Sequence, residues 1–172
     1  MYNLFFRDMR IEDMNNGDGS RVTFSLDGVE HRCKNWQNPQ TWEYGLGRPL
    51  DLWEEAELFT HLGKDFIDGL TLTGGDPLYP KNRLGIYLLV KKFKQMFPNK
   101  TIWLWTGYLY ENIKENEEMS KILPFVDVLV DGPYIDSLRN IDLKWRGSSN
   151  QRVIDVQATL LCGDDTVILY CD

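Results

Sequence analysis

Short apolar runs recur along the chain, separated by stretches whose apolar positions fall at helical spacing. Residues 22–26, 69–73, 101–106, 126–130 and 166–170 are continuous or alternating in hydrophobicity and predict strands. Residues 2–14 are extended by composition but poorly periodic, so they predict an extended segment without a clear buried face. Between these runs, Leu52, Ala56, Phe59 and Leu62 share one face of a predicted helix. Ile86, Leu89, Val90, Phe93 and Phe97 share a face of a second, with Asn82 as its cap and Pro98 as its stop. A weaker helix is predicted over 110–123, its glutamate-rich face solvated. A last helix is predicted over 150–161, with Val153, Val156 and Leu160 on one side and Ser148, Ser149 and Asn150 as caps.

Strands alternating with helices are the signature of parallel βα units, hence an α/β fold. A chain of 172 residues is too short for a complete eight-stranded barrel of roughly 250 residues. An open, partial (β/α) barrel of mostly parallel strands is the economical alternative. No internal repeat or linker divides the sequence, so residues 1–172 are expected to form a single domain.

Composition narrows the function classes. With 42% hydrophobic residues the chain can bury a substantial core. A net charge of -7 and a pI near 4.9 argue against a nucleic-acid partner, and no basic run offers a phosphate-binding face. No apolar run approaches the roughly 20 residues of a membrane span, and the first residues lack a signal-peptide pattern, so a cytoplasmic location without a membrane partner is expected. Three cysteines, Cys33, Cys162 and Cys171, are an odd number in a chain without secretory features, and a disulfide framework is not expected.

Several polar groups stand where strands end, and there α/β sheets gather their ligands. Thr73-Gly74-Gly75-Asp76 follows one predicted strand. Its glycines permit a close approach of backbone to ligand, and Asp76 is either a ligand contact or the cap of a tight turn with Pro77 as the first helical residue. Thr106-Gly107 and Asp131-Gly132 have the same placement. Trp103 and Trp105 point to one side of their strand, and Trp103 reads most simply as aromatic core. In the segment WRGSSNQR, Arg146 suits a carboxylate partner. Ser148, Ser149 and Asn150 suit either a helix start facing an anion or a simple cap. His31 and His61 do not form a metal constellation.

Four segments, GLTLTGGDPLYP (69–80), IWLWTGY (102–108), VDVLVDGPY (126–134) and WRGSSNQR (145–152), together carry a resemblance. They are similar to the activating proteins of the anaerobic, class III ribonucleotide reductases, which are small radical-SAM enzymes. The resemblance begins near Asn16-Gly17-Asp18-Gly19, passes through Thr41-Trp42 and reaches the end of the chain. WTGY followed by WRGSSNQR is its most specific part.

The resemblance implies a radical-SAM-like fold and a [4Fe-4S] cluster held by three cysteines spaced C-x3-C-x2-C. The fourth iron then chelates S-adenosylmethionine, which is cleaved to a 5′-deoxyadenosyl radical that takes hydrogen from a glycine of the reductase. It also implies S-adenosylmethionine contacts at Asn35, Trp36, Gln37, Thr73, Gly74, Gly75, Asp76, Thr106, Gly107, Asp131 and Arg146, with the catalytic subunit of the class III reductase as partner.

This chain departs from the pattern at the cluster. With Gly28 and Asn38 at the family's flanking Gly and Asn, the three ligand positions are Val29, Cys33 and Trp36. Valine has no donor atom, and the indole nitrogen only donates a hydrogen bond, so neither binds iron. The expectation is therefore a degenerate homologue that makes no radical and acts by binding the reductase or another partner. The alternatives are a working activase and a regulatory module binding S-adenosylmethionine or a nucleotide. A cluster rebuilt from Cys33, His31, Cys162 and Cys171 would require the last predicted strand to fold toward the loop.

Overall fold

The computed structural model describes residues 1–30 and 43–171. Seven strands form one sheet: β1 (Phe5–Asp13), β2 (Arg21–Leu26), β3 (Arg48–Pro49), β4 (Gly69–Gly74), β5 (Thr101–Trp105), β6 (Val128–Asp131) and β7 (Arg152–Asp155). Their order is β3-β1-β2-β4-β5-β6-β7. The central β2, β4, β5 and β6 run parallel, while β1, β3 and β7 are antiparallel to their neighbours. Five helices accompany them among the described residues: α1 (Leu52–Leu62), α2 (Arg83–Met96), α3 (Tyr110–Glu115), α4 (Glu117–Ser120) and α5 (Val156–Cys162). This is the α/β class and the unclosed sheet that the alternation predicts, with antiparallel strands added at both edges.

The strand period of two divides the sheet into unlike faces. Val22, Phe24 and Leu26 of β2, Leu70 and Leu72 of β4, Ile102 and Leu104 of β5, Leu129 of β6 and Ile154 of β7 are buried in one core. Leu58 and Leu62 of α1 and Ile86, Leu89, Val90 and Phe93 of α2 complete it. The register puts Arg21, Thr23 and Ser25 beside Gly69, Thr71 and Thr73 on the other face, with Thr101, Trp103 and Trp105 next to them. The helix-covered face is therefore apolar, and the opposite one polar and aromatic.

Local signals set the helix ends. Asp51 caps α1 by accepting from the amides of Trp53 and Glu54, and Gly63 ends it. Asn82 stands at the cap of α2 as predicted but does not cap it through its side chain. Its amide donates instead to the carbonyls of Asp27 and Asp76, tying together the ends of β2 and β4.

Three predicted elements differ. Residues 110–123 break because the side chain of Asn116 accepts from the amides of Glu118 and Met119 and starts a new helix. The result is α3, α4 and a 3-10 turn at Leu123–Phe125 in place of one helix. Residues 152–155 pair with β6 as β7, and the helix begins only at Val156, capped by Asp155, so Ser148, Ser149 and Asn150 cap no helix. β-Branched Val153 and Ile154 favour the extended pairing. Residues 166–170 run beside β7 with a single bridge, Ile154 to Leu169, and the backbone bonds Asp155 N to Ile168 O and Tyr170 N to Val153 O. Pro77 lies in the turn before α2 and is not helical. No helix among the described residues is long and apolar enough to cross a membrane.

Candidate functional site

The carboxyl ends of the parallel strands are knitted to one another. Asp76, buried after β4, accepts the Thr106 hydroxyl at 2.9 and 3.0 Å, the Gly107 amide at 2.9 Å and the Leu78 amide at 2.8 Å. Gly75 donates its amide to Leu26 O at 2.8 Å, and Asp76 donates to Gly28 O at 2.6 Å. Gly74 has φ +110°, and a Cβ there would stand 2.4 Å from the Leu26 amide nitrogen. Gly74, Gly75, Asp76, Thr106 and Gly107 therefore join β2, β4 and β5. Of the two readings of Asp76, the structure carries the turn, through the Leu78 amide, and extends it into a brace between strands.

Asp131 is engaged likewise. The β6–β7 register sets Arg152 opposite it, and the buried carboxylate accepts Arg152 Nε at 3.1 Å and the Tyr110 amide at 2.8 Å. Arg152 also reaches both carboxylate oxygens of Glu111, at 3.0 and 2.8 Å. These bonds hold the Glu111 carboxyl below its ordinary range and raise the Arg152 guanidinium above its own.

A cavity of about 430 Å³ opens on the polar face. Thr23 and Ser25 of β2, Thr73 of β4 and Trp105 of β5 line it from the sheet; Trp145, Arg146 and Gln151 line it from the loop before β7, and Arg10 and Asn16 from the β1 side. Thr73 and Arg146 are the sequence candidates that the structure brings together here. Ser25 and Thr23 escaped the sequence reading. Their signal was the alternation of β2, legible only once β2 is set in register against β4.

The WRGSSNQR segment is a folded loop. Gln151 anchors it: its side-chain oxygen accepts the amides of Gly147 and Ser148 at 2.9 and 3.2 Å, and its side-chain nitrogen donates to Gly132 O at 3.0 Å. Ser148 accepts the Ile135 amide at 3.2 Å, and Asn150 donates to Pro133 O at 2.7 Å. Trp145 has φ 62°, a left-handed conformation strained for a bulky residue, and Trp105 Nε1 holds its carbonyl at 2.8 Å. Arg146 follows directly and donates Nη1 to Gln151 O at 2.6 Å.

Below this cavity, toward the amino ends of the strands, lies a residue that the sequence reading passed over. Arg21 is fully buried on the polar face, and its five N–H donors meet Thr71 Oγ1, Asp18 O, Thr101 Oγ1, Leu70 O and Thr101 O at 2.8 to 3.0 Å. Burial lowers its pKa to about 10, opposed through space by Asp68, Asp127 and Asp18, and the group stays charged at neutral pH.

The cluster positions of the sequence follow β2. Gly28 has φ +91°, and a Cβ there would stand 2.6 Å from the ring of Tyr79. Glu30 accepts the Tyr108 hydroxyl; burial first and this bond second push the Tyr108 pKa up. Val29, half-buried, offers no donor. His31, Cys33, Asn35, Trp36, Gln37 and Asn38 lie outside the described residues.

The remaining cysteines are exposed and placed elsewhere. Cys171 follows Tyr170, whose hydroxyl donates to Asp18 at 3.0 Å, in the loop before β2. Val29 follows the other end of β2, whose 6 residues span roughly 17 to 20 Å. β7 runs antiparallel to β6, so α5, which ends at Cys162, also starts from the amino end of the parallel strands. No group of three metal-ligating residues occurs among the described residues. Val29 supplies no iron ligand, and Cys171 stands at the opposite end of β2 from it.

Comparison with known proteins gives the lineage. Residues 15–154 match the family described as a 4Fe-4S single cluster domain. The anaerobic ribonucleoside-triphosphate reductase-activating protein of Enterobacteria phage T4 is 48% identical over 141 residues, covering 82% of this chain and 87% of that protein. The protein of the same name from Pasteurella multocida is 40% identical over 141 residues, covering 81% of this chain and 89% of its own. That from Escherichia coli K12 is 37% identical over 143 residues, covering 82% and 92%. The chain therefore belongs to the family of anaerobic ribonucleoside-triphosphate reductase-activating proteins.

Proposed function

We propose that this chain serves an anaerobic ribonucleoside-triphosphate reductase, the enzyme for which its relatives are named, by binding the reductase through a radical-SAM-like scaffold that keeps a small-molecule cavity. The residues at the three cluster positions carry the rest of the proposal. Val29 and Trp36 supply no iron ligand, so Cys33 alone remains, and a [4Fe-4S] cluster with one open iron needs three thiolates.

A second reading is a working activator that generates the glycyl radical on the reductase. The names of the relatives, at 37 to 48% identity, and the match to a 4Fe-4S family favour it over the first. It requires ligands from outside positions 29 and 36.

Anaerobic reconstitution with iron and sulfide, followed by metal analysis and assay of 5′-deoxyadenosine from S-adenosylmethionine, separates the two. Iron-free protein that still co-purifies with a class III reductase supports the first. A bound cluster with turnover establishes the second.

A further inference from the structure

Four aromatic side chains form a partition across the polar face of the sheet. Trp103 and Tyr170 line a cavity of about 510 Å³ toward the amino ends of the parallel strands, together with the carboxylates of Asp18, Asp68, Asp127 and Asp155. Trp105 and Trp145 line the cavity of about 430 Å³ toward the carboxyl ends, where the charged side chains among the described residues are Arg10 and Arg146. The rings meet in the partition. Trp103 stacks on Trp105 with centroids 5.8 Å apart, and stands edge-on to Trp145 at 4.7 Å and to Tyr170 at 5.1 Å. Tyr170 and Trp145 close the set, edge-on at 5.7 Å. Edge-to-face rings at these separations attract one another beyond the area they bury.

The four rings are not held alike. Trp103 and Trp105 belong to β5 and are fixed by its ladders to β4 and β6. Trp145 lies in a loop, at φ 62°, a conformation that a bulky residue keeps where its surroundings impose it. Its carbonyl is held by Trp105 Nε1 at 2.8 Å, and its ring rests on Trp103 and Tyr170. Tyr170 comes from the C-terminal segment, which lies outside the family match of residues 15–154. Its amide donates to Val153 O of β7 at 2.9 Å, and its hydroxyl donates to Asp18 at 3.0 Å in the loop before β2. Between β7 and β2 in the sheet stand β6, β5 and β4. One side chain thus ties the two sides of the polar face together.

We infer that Tyr170 is a positioning residue: its ring, anchored at both ends, holds Trp145 in the left-handed conformation and so fixes the loop that carries Arg146 at the cavity rim. Arg146 follows Trp145 directly, so a change in the Trp145 backbone re-aims the guanidinium. Tyr170 acts through Trp145 and does not itself line that cavity. The same contact keeps the carboxylates of one cavity apart from the arginines of the other. The inference goes beyond the reductase partnership and the cluster, and its test uses neither.

The test is hydrogen exchange of the whole chain, read by mass spectrometry. The amides of Gly147 and Ser148, which donate to the side-chain oxygen of Gln151, report on the loop, and those of β4 report on the sheet. Neither loop bond involves Tyr170. Tyr170→Ala is expected to speed exchange at Gly147 and Ser148 by about tenfold, because lost ring contacts ease local opening, and to leave β4 unchanged. Tyr170→Phe keeps the ring and should restore most of the protection. Tyr170→Leu fills the space without a ring and should not; it also serves if the alanine variant does not fold. In Trp145→Gly, where glycine takes the left-handed backbone freely, adding Tyr170→Ala should change loop exchange by less than about twofold. Unchanged exchange at Gly147 and Ser148 in a folded Tyr170→Ala or Tyr170→Leu protein would overturn the inference. So would a Tyr170→Phe loop as open as the alanine one, an equal rise across β4, or the full effect persisting in Trp145→Gly.

Discussion

Asp76 and Thr106 stand at the ends of neighbouring parallel strands, and the hydroxyl of Thr106 meets both oxygens of the buried Asp76 carboxylate, at 2.9 and 3.0 Å. The Gly107 and Leu78 amides donate to the same carboxylate. The pair fixes the βα turn after β4 to the loop after β5, and the rim of the site depends on it.

Asp76→Asn should destabilise the fold by about 2 kcal/mol, and Thr106→Val by about 1 kcal/mol, because each leaves buried partners unsatisfied. Their combination should cost less than the sum, since they share one contact. Urea unfolding measures all three. An Asp76→Asn protein of unchanged stability that loses ligand binding would mark the carboxylate as a ligand contact instead of a brace.

The two glycines Gly74 and Gly45 separate backbone conformation from crowding. Both have positive φ, +110° and +90°, but a Cβ at Gly74 would collide with the Leu26 backbone while one at Gly45 meets nothing within 4 Å among the described residues. Gly45→Ala should cost about 1 kcal/mol, the penalty of the left-handed backbone alone. Gly74→Ala should cost several times that or prevent folding. Equal losses in urea melts would contradict the close approach of β4 to β2.

Acid should weaken the link between β6, β7 and α3. Its bonds to Arg152 lower the Glu111 pKa below the ordinary 4.5, so the folded state binds the proton less readily than the unfolded chain. The stabilisation is present above the unfolded value and lost as the pH falls through the lowered one. Glu111 is half exposed, its side chain 54% accessible, so the effect is less than about 1 kcal/mol. Glu111→Gln should remove this acid-dependent part, and its stability curve should converge with that of the parent at low pH. Parallel curves throughout would rule the pair out as a contributor.

Restoring the thiolates tests the cluster positions directly. The double substitution Val29→Cys with Trp36→Cys rebuilds C-x3-C-x2-C around Cys33. After anaerobic reconstitution it should hold about four iron atoms per chain, as three cysteines suffice for a site-differentiated cluster, while the parent holds none. Iron bound equally by both would show that the parent draws its ligands from elsewhere.

The four parallel strands and the two long helices were legible because each buries one periodic face: Phe24, Leu72 and Leu104 on strands, Leu58, Ile86 and Phe93 on helices. β7 was misread because Val153 and Val156 also fit a helical spacing, and only pairing with β6 selects the extended form. Arg21 carried no local signal. A charged residue opening a strand reads as surface until Thr71, Thr101, Leu70 and Asp18 are brought around it.

The sequence by itself determined the α/β class and the family, because patterning and motif order are properties of the chain. Only the tertiary structure decided which polar residues act together. Asp76 and Asp131 turned toward the protein, bonded to Thr106 and Arg152, while Arg146 joined Thr23, Ser25 and Thr73 around one cavity. The physical reason is register. Whether a polar side chain meets a partner or a cavity depends on its neighbours across the sheet, and these lie tens of residues away along the chain.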